Sequence, residues 1–526
     1  MLQIKNVTIA HKKDLRTIMK DVSLTLNPGD RMVVIGEEGN GKSTLLRWIY
    51  DPALVESYVD AVGERILGNE RLAWLPQELP LEYSDMSVFE FFTAEPSFWE
   101  HDQRDLAVSA GELELPKDVY YSDELMSSLS GGEKVKIQML RLMLRQPTVL
   151  LLDEPSNDID ITTLEWLEKL INAFKGAVLF ISHDEILIER TANCVLHLEM
   201  LHRKQECRHT VARLSYTEYV RRRADALDKQ AQQAQSDLRE KRKRDEKFRR
   251  IYQRVEFEQA TISRQDPHGG RLLKKSMHKV KSMEKRFSKE DEKMTQKPVF
   301  ENAIDFKLGA EAIPLAAGKT VLDFRLGELR TPGKEGPDSP NSESGRLLAK
   351  NIELLVRGPE KICIIGPNGC GKTTLLRRIA AELGLRKDLR AEYMPQNYGE
   401  LLDMAKTPVE NICRSGDAEE RTMVRTYLGA LRFTTAEMEH PTGELSGGQQ
   451  AKIFLLRMNT SGANVLILDE PTRNFSPLSG PVVRGMLKSF PGAIISVSHD
   501  RRFISEVFEK VYRFDASGLI LQKGTE

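Results

Sequence analysis

Four segments of this chain occur twice, in the same order, and this repetition limits the fold more than any other feature. VVIGEEGNGKSTLLRWI at 33–49 returns as CIIGPNGCGKTTLLRRI at 363–379, and LSGGEKVKIQMLRL at 129–142 as LSGGQQAKIFLLRM at 445–458. VLLLDEPSND at 149–158 returns as VLILDEPTRN at 465–474, and LFISHDEILI at 179–188 as ISVSHDRRFI at 495–504. Ser130 and Ser446, Asp153 and Asp469, and His183 and His499 are each 316 positions apart, whereas Lys42 and Lys372 are 330 apart. The second copy is shorter between its lysine and the glutamine that follows, 24 residues from Lys372 to Gln396 against 35 from Lys42 to Gln77. Two homologous domains, 1–214 and 297–526, therefore bracket a segment, 215–296, of another kind.

Each repeated segment has its own chemistry. The first glycine loop comprises Gly36, Glu37, Glu38, Gly39, Asn40, Gly41, Lys42, Ser43 and Thr44, between the apolar run RMVVI and the helical pattern TLLRWI. A strand, a glycine loop and a helix in that order form a phosphate cradle, with backbone N–H groups and the helix N-terminus facing the anion. Gly366, Pro367, Asn368, Gly369, Cys370, Gly371, Lys372, Thr373 and Thr374 repeat it. Lys42 and Lys372 would reach the β- and γ-phosphates, and Ser43 and Thr373 would bind Mg²⁺. The runs VLLLDE and VLILDE are buried strands ending in two acids. Asp153 and Asp469 would orient the Mg²⁺ shell, and Glu154 and Glu470 would polarise the attacking water. His183 and His499 lie 30 residues beyond each aspartate and read as γ-phosphate sensors. Gln77 in LPQ and Gln396 in MPQ would add a ligand near the Mg²⁺ and the water. Ser130, Gly131, Gly132 and Glu133, and likewise Ser446, Gly447, Gly448 and Gln449, open helices and offer a second phosphate-binding surface.

Together these motifs resemble the ATP-binding cassette (ABC) superfamily across both repeats. The resemblance implies α/β cassettes with a P-loop NTPase core and a helical subdomain, packed head to tail with ATP and Mg²⁺ between them. Site one would then be Lys42, Ser43, Gln77, Asp153, Glu154 and His183 opposite Ser446 and Gly448. Site two would be Lys372, Thr373, Gln396, Asp469, Glu470 and His499 opposite Ser130 and Gly132. Pairing would be intramolecular, in a monomer. Two departures stand out. His11 is the nearest candidate for the aromatic residue that stacks on adenine. The loop after the catalytic glutamate ends in Asp160 in the first copy but in Ser476 in the second, so symmetric coupling of the sites is not expected.

The middle segment narrows the reading. Residues 221–294 hold 23 Lys and Arg against 13 Asp and Glu, although the whole chain has a net charge of −1. A basic element on an acidic body suggests a phosphate-bearing partner. Leu227, Ala231, Ala234 and Leu238, then Phe248, Ile251 and Val255, form one apolar stripe; Leu273, Met277, Val280, Glu284 and Phe287 form another, with one polar interruption. The stretch SRQDPHGGRLLKK at 263–275 reads as a turn between them, with its tip at 263–271, so the segment is expected to be an antiparallel coiled-coil hairpin. Tandem cassettes joined by such a linker resemble the ABC-F family, and the tip most resembles its antibiotic-resistance, ribosome-protection members. That likeness implies a ribosome partner, with the linker beside P-site tRNA near the peptidyl-transferase centre. Lys241, Arg242, Lys243, Arg244, Arg264, His268 and Arg271 would contact RNA. A housekeeping translation factor, the ATPase subunit of a transporter and a DNA-repair ATPase are the alternatives.

Other features bound the picture. The five cysteines form no CxxC pair, which predicts reduced thiols in the cytoplasm rather than zinc or disulfides. The N-terminus MLQIKNVTIAHKKDL lacks an apolar signal core, and the longest apolar runs fall far short of the ~18–20 residues of a membrane span. The spacing from Gln77 to Ser130, 53 residues, nearly matches the 50 from Gln396 to Ser446, so no extra arm subdomain is expected in the first cassette. With 27 residues after His499, the C-terminal coiled coil of the family's DNA-associated members is not expected, and TPGKEGPDSPNSESG at 331–345 reads as a surface loop.

Overall fold

A computed structural model describes residues 1–13, 15–201, 206–261, 267–291, 294–298, 308–309, 314–331 and 345–522. The chain divides into two compact units, Met1–Tyr216 with Glu301–Glu526, and Thr217–Phe300.

Both cassettes lie in the first unit. The repeated apolar runs become the central strands of two six-stranded sheets. The first runs in the order Leu72–Leu75, Val149–Asp153, Ala177–Ile181, Arg31–Ile35, Cys194–Leu201, Glu206–Ala212. The second runs Ala391–Met394, Val465–Asp469, Ala493–Val497, Lys361–Ile365, Lys510–Asp515, Gly518–Leu521. In each sheet the first five strands are parallel and the last is antiparallel. Parallel strands are covered on both faces and so are apolar throughout rather than alternating. Every residue of Val149–Asp153 and of Val465–Asp469 is buried. Truncating one of these core leucines, such as Leu151, should cost about 2–5 kcal/mol.

A three-stranded antiparallel sheet, ordered Thr17–Leu26, Leu2–His11, Val59–Ile66, accompanies the first cassette, and the pair Thr320–Arg330 and Leu347–Arg357 accompanies the second. Leu2, Ile4, Val7 and Ile9 of the former share one core with Val149, Leu151 and Leu179 of the central strands. The glycine loops, the paired acids and the two histidines all follow the C-terminal ends of parallel strands, where open α/β sheets gather their ligands.

The second unit consists of two helices, Tyr216–Thr261 and Pro267–Asp291. At 1.5 Å per residue the first is roughly 69 Å long. The helices run antiparallel. The rings of Phe248 and Phe287 meet at 5.7 Å, Lys241 pairs with Asp291 at 2.7 Å, and Asp237 accepts from the Thr295 N–H at 2.9 Å. Ala234 and Val280 are buried in the seam.

Two expectations change here. Ile251 is 42 % exposed, and Tyr252, half-buried and tilted against the Phe248 ring at 6.1 Å, takes its place. Pro267–Gly270, expected within the connecting turn, form the first turn of the second helix. Proline's fixed φ and missing N–H suit that position. Residues 262–266, including Arg264, lie outside the described residues, as does 332–344, most of the expected surface loop. Among the described residues no helix is long and apolar enough to cross a membrane.

Candidate functional site

The strand Arg31–Ile35 ends at Gly36, and the loop turns through Gly41 into the helix Lys42–Tyr50. Gly41 has φ 78°, and a Cβ there would stand 2.4 Å from Ile18 Cγ2, so only glycine lets the loop close. Asn40 ties the loop to the sheet, donating to the Leu198 carbonyl at 3.0 Å. Lys42 Nζ bends back and donates to the carbonyls of Gly36 and Glu37 at 2.9 and 3.0 Å. Lys372 does the same with Gly366 and Pro367, at 2.8 Å each. Burial holds Lys372 below the usual lysine range.

Ser43 Oγ donates to Asp153 Oδ1 at 2.8 Å, and Thr373 hydrogen-bonds Asp469. Both aspartates are buried, and each leaves Oδ2 enclosed without a hydrogen-bond partner. Burial pushes Asp153 up to about 6, with Glu154 adding to the rise and Ser43 opposing it; burial raises Asp469 as well. An orphaned carboxylate oxygen beside a hydroxyl suits a hard divalent cation. Among the described residues no cluster of three or more His, Cys, Asp or Glu side chains could hold a metal alone. The residues therefore fit a Mg²⁺ that takes the rest of its shell from phosphate and water.

Glu154 and Glu470 both adopt left-handed backbone, φ 50° and 52°, a strained state for a non-glycine residue that costs about 1–3 kcal/mol. Their surroundings differ. Glu154 Oε2 accepts from Gln77 Nε2 at 3.0 Å and Asn157 Nδ2 at 2.5 Å, and Oε1 lies 3.3 Å from His183 Nε2. Burial would raise this carboxyl, but His183, Lys42 and Asn157 outweigh it and hold it down to about 2. Glu470 is pushed up to about 8 by burial and by neighbouring Asp469. Its Oε2 accepts from Ser498 Oγ and the His499 N–H at 3.3 Å each, while Oε1 has no hydrogen bond and sits 3.8 Å from His499 Nε2. Burial, with Lys372, lowers His499 to about 4. Gln396 differs from Gln77 too, donating to Asp158 Oδ1 at 3.2 Å rather than to its own cassette's glutamate.

The signature residues of each cassette meet the glycine loop of the other. Ser130, Gly131 and Glu133 line one cavity of about 780 Å³ with Gly369, Lys372, Thr373, Thr374, Glu470 and His499. Ser130 caps its helix reciprocally with Glu133, and a Cβ on Gly131 would stand 2.0 Å from the Asp158 carbonyl oxygen. Gly132 is buried beneath. Ser446 and Gln449 form the matching capping box, Gly447 packs on Asn474, and the Gly448 N–H donates to Glu38 Oε2 across the cassette boundary. On that side His11, Gly39, Gly41, Lys42, Ser43, Thr44, Gln77, Glu154 and His183 line a cavity of about 260 Å³. Cys370 is a partly buried thiol within its loop, raised by burial.

Several contacting residues have no motif to announce them. Asp158 pairs with Arg473 at 2.8 Å across the boundary, and His183 Nδ1 lies 2.7 Å from the Phe475 carbonyl. Because that carbonyl only accepts, Nδ1 is the donor in this contact. Arg346 and Leu348 line the larger cavity from the strand Leu347–Arg357 and the residue before it. The mismatch of Glu37 and Glu38 with Pro367 and Asn368, like that of Asp160 with Ser476, is a sequence signal that the two boundaries differ.

In the second unit the candidate RNA contacts divide. Lys241 and Arg244 are engaged within the hairpin, Lys241 with Asp291 and Arg244 with Glu290 at 3.2 Å and with Asp291, and Arg244 also lies over the Phe287 ring at 4.6 Å. Arg242, Lys243 and Arg271 are exposed. His268 lies in the first turn of its helix.

A family model described as "ABC transporter" matches residues 19–157 and 349–473. The chain is 26 % identical to ABC transporter F family member 5 of Arabidopsis thaliana, over 94 % of this chain and 72 % of that protein. It is 27 % identical to the putative ATP-binding protein YdiF of Bacillus subtilis, over 98 % of this chain and 80 % of that one. Among solved structures, a complex of archaeal ribosomal stalk protein aP1 with the archaeal ribosome recycling factor aABCE1 matches with a TM-score of 0.55 at 16 % identity, covering 97 % of this chain and 87 % of that one.

Proposed function

This chain belongs to the ABC transporter family, and from that premise we propose that it is an ABC-F ATPase that binds ribosomes in its ATP-bound state and leaves on hydrolysis. The cassettes hydrolyse ATP. In our reading Lys42 and Lys372 hold the β- and γ-phosphates, and Ser43 with Asp153, and Thr373 with Asp469, hold Mg²⁺, which when bound neutralises charge on the phosphates. Glu154 and Glu470 orient the attacking water, His183 and His499 report on the γ-phosphate, and Gln77 and Gln396 close the sites. Ser130 and Ser446 with their glycine N–H groups complete each site from the opposite cassette.

The observation that carries the ribosome assignment is the hairpin, with 23 Lys and Arg against 13 Asp and Glu over 221–294 in a chain of net charge −1. A transporter's ATPase subunit has no need of such an element, whereas RNA phosphates attract it. The similar aABCE1 is a ribosome recycling factor, which supports the same class of partner. The finer reading is that the linker lies beside P-site tRNA near the peptidyl-transferase centre and protects ribosomes from antibiotics in the cytoplasm. Its test is in vitro translation with a lincosamide or pleuromutilin, titrated with the parent and with a variant whose 264–271 is replaced by a short Gly/Ser turn. Rescue by the parent alone is expected. Equal rescue by both would remove the tip from the mechanism, and no rescue by either would favour a housekeeping role.

A further inference from the structure

Glu37 stands in the first glycine loop where the second has Pro367. A carboxylate in a loop that must receive phosphate repels its ligand unless its charge is taken up elsewhere. Here the second cassette takes it up. Glu37 Oε1 accepts from the hydroxyls of Ser476 and, at 2.8 Å, Ser479, and Oε2 lies 3.9 Å from Lys452 Nζ. The two serines are wholly buried and the Glu37 side chain is 18 % exposed.

The backbone of Glu37 faces the other way, its carbonyl accepting from Lys42 Nζ at 3.0 Å. Phe475, next to Ser476, meets His183 through its carbonyl at 2.7 Å. One short turn of the second cassette therefore touches both the lysine loop and the histidine of site one. At the corresponding positions of site two the carboxylate is on the turn, where it caps its own helix through Thr163. Asp160 replaces the serine, and Pro367 replaces the glutamate.

We propose that Glu37 is a positioning residue through which the second cassette sets the first phosphate-binding loop, the carboxylate standing on the loop here and on the turn at site two. The proposal rests on ATP hydrolysis and not on the ribosome reading.

The test uses the full chain and reads each site with the other silenced, Glu470→Gln leaving site one and Glu154→Gln leaving site two. Ser476→Asp sets a second carboxylate against Glu37 and should lower site-one turnover by about tenfold or more, since a displaced loop costs up to about 10²-fold. Adding Glu37→Ser restores one carboxylate and one hydroxyl in reversed places and should recover most of that loss. The loss from Ser476→Asp should be several-fold larger at site one than at site two. A transposed double variant as slow as Ser476→Asp alone, or equal losses at the two sites, would overturn the proposal. Should Ser476→Asp fail to fold, the near-isosteric Glu37→Gln replaces it: a loss confined to site one supports the role, and an equal loss at both sites overturns it.

Discussion

Arg484 of the second cassette grips Glu185 of the first through both terminal guanidinium nitrogens, at 2.6 and 3.1 Å, while its Nε reaches Glu506 at 2.7 Å. Arg484 and Glu185 are nearly enclosed, at 5 % and 10 % exposure. Arg501 repeats the theme with Glu168 at 2.5 Å and Asp184 at 3.1 Å. The cassette boundary is thus tied by buried ion pairs as well as by its nucleotide sites. Arg484→Met leaves Glu185 and Glu506 without their shared cation and should destabilise the paired cassettes by about 3–5 kcal/mol, the cost of breaking a buried pair. Arg484→Met with Glu185→Leu should recover part of it. A double-mutant cycle in denaturant that returns no coupling would contradict the contact.

The two glutamates should not be equivalent. Glu154 has three side-chain neighbours and Glu470 only a hydroxyl, a backbone N–H and a distant histidine. Glu154→Gln and Glu470→Gln, made singly, should therefore leave different residual ATPase rates, with the general-base contribution of each about 10²–10⁴-fold. Equal residual rates would remove this asymmetry.

Hairpin charges should separate into two kinds. Arg242 and Lys243 are exposed, so changing both to Ala should weaken ribosome binding and flatten its salt dependence by about 0.7–0.9 of a log–log unit per lost phosphate contact. Changing Lys241 and Arg244 to Ala removes the pairs to Glu290 and Asp291 and should first lower the melting temperature of the hairpin. Indistinguishable behaviour of the two double variants would contradict the division.

Glu95 offers a pH test away from the nucleotide. Burial would raise its pKa, but Arg145, Ser97 and Arg141 outweigh it and hold Glu95 below the usual carboxylate range. A depressed carboxylate contributes stability above its unfolded pKa and loses it as pH falls through the folded one. Glu95→Gln should therefore destabilise at pH 7 by about 1–3 kcal/mol, discounted because Arg145 is 38 % exposed, and the difference from the parent should shrink in acid. A difference that grows as pH falls would reverse the assignment.

Local chemistry was legible and long-range partners were not. Ser43, Asp153 and Glu154 announce themselves because a phosphate cradle and a strand ending in acids are short patterns with fixed neighbours. Glu185 and Arg484 are 299 residues apart, and neither sits in a pattern that names the other. The sequence does not choose between Ile251 and Tyr252, because either fits the apolar spacing and only the facing helix decides. Asp266-Pro267 carries turn chemistry, yet proline also opens helices, so the boundary shifts without any change in the hairpin. The exchange of Asp160 for Ser476 is visible in the sequence, but its counterpart at Glu37 needs the closed boundary to be seen.

That the ATP-bound form is the ribosome-binding form is open to direct test. Its most direct measurement is sucrose-gradient co-sedimentation of the Glu154→Gln, Glu470→Gln double variant with ribosomes, with and without ATP, beside an ATPase assay. No turnover, retained ATP binding and persistent co-sedimentation in ATP that disappears without it are expected. Full turnover in the double variant, or sedimentation with ribosomes that is indifferent to ATP, would contradict it.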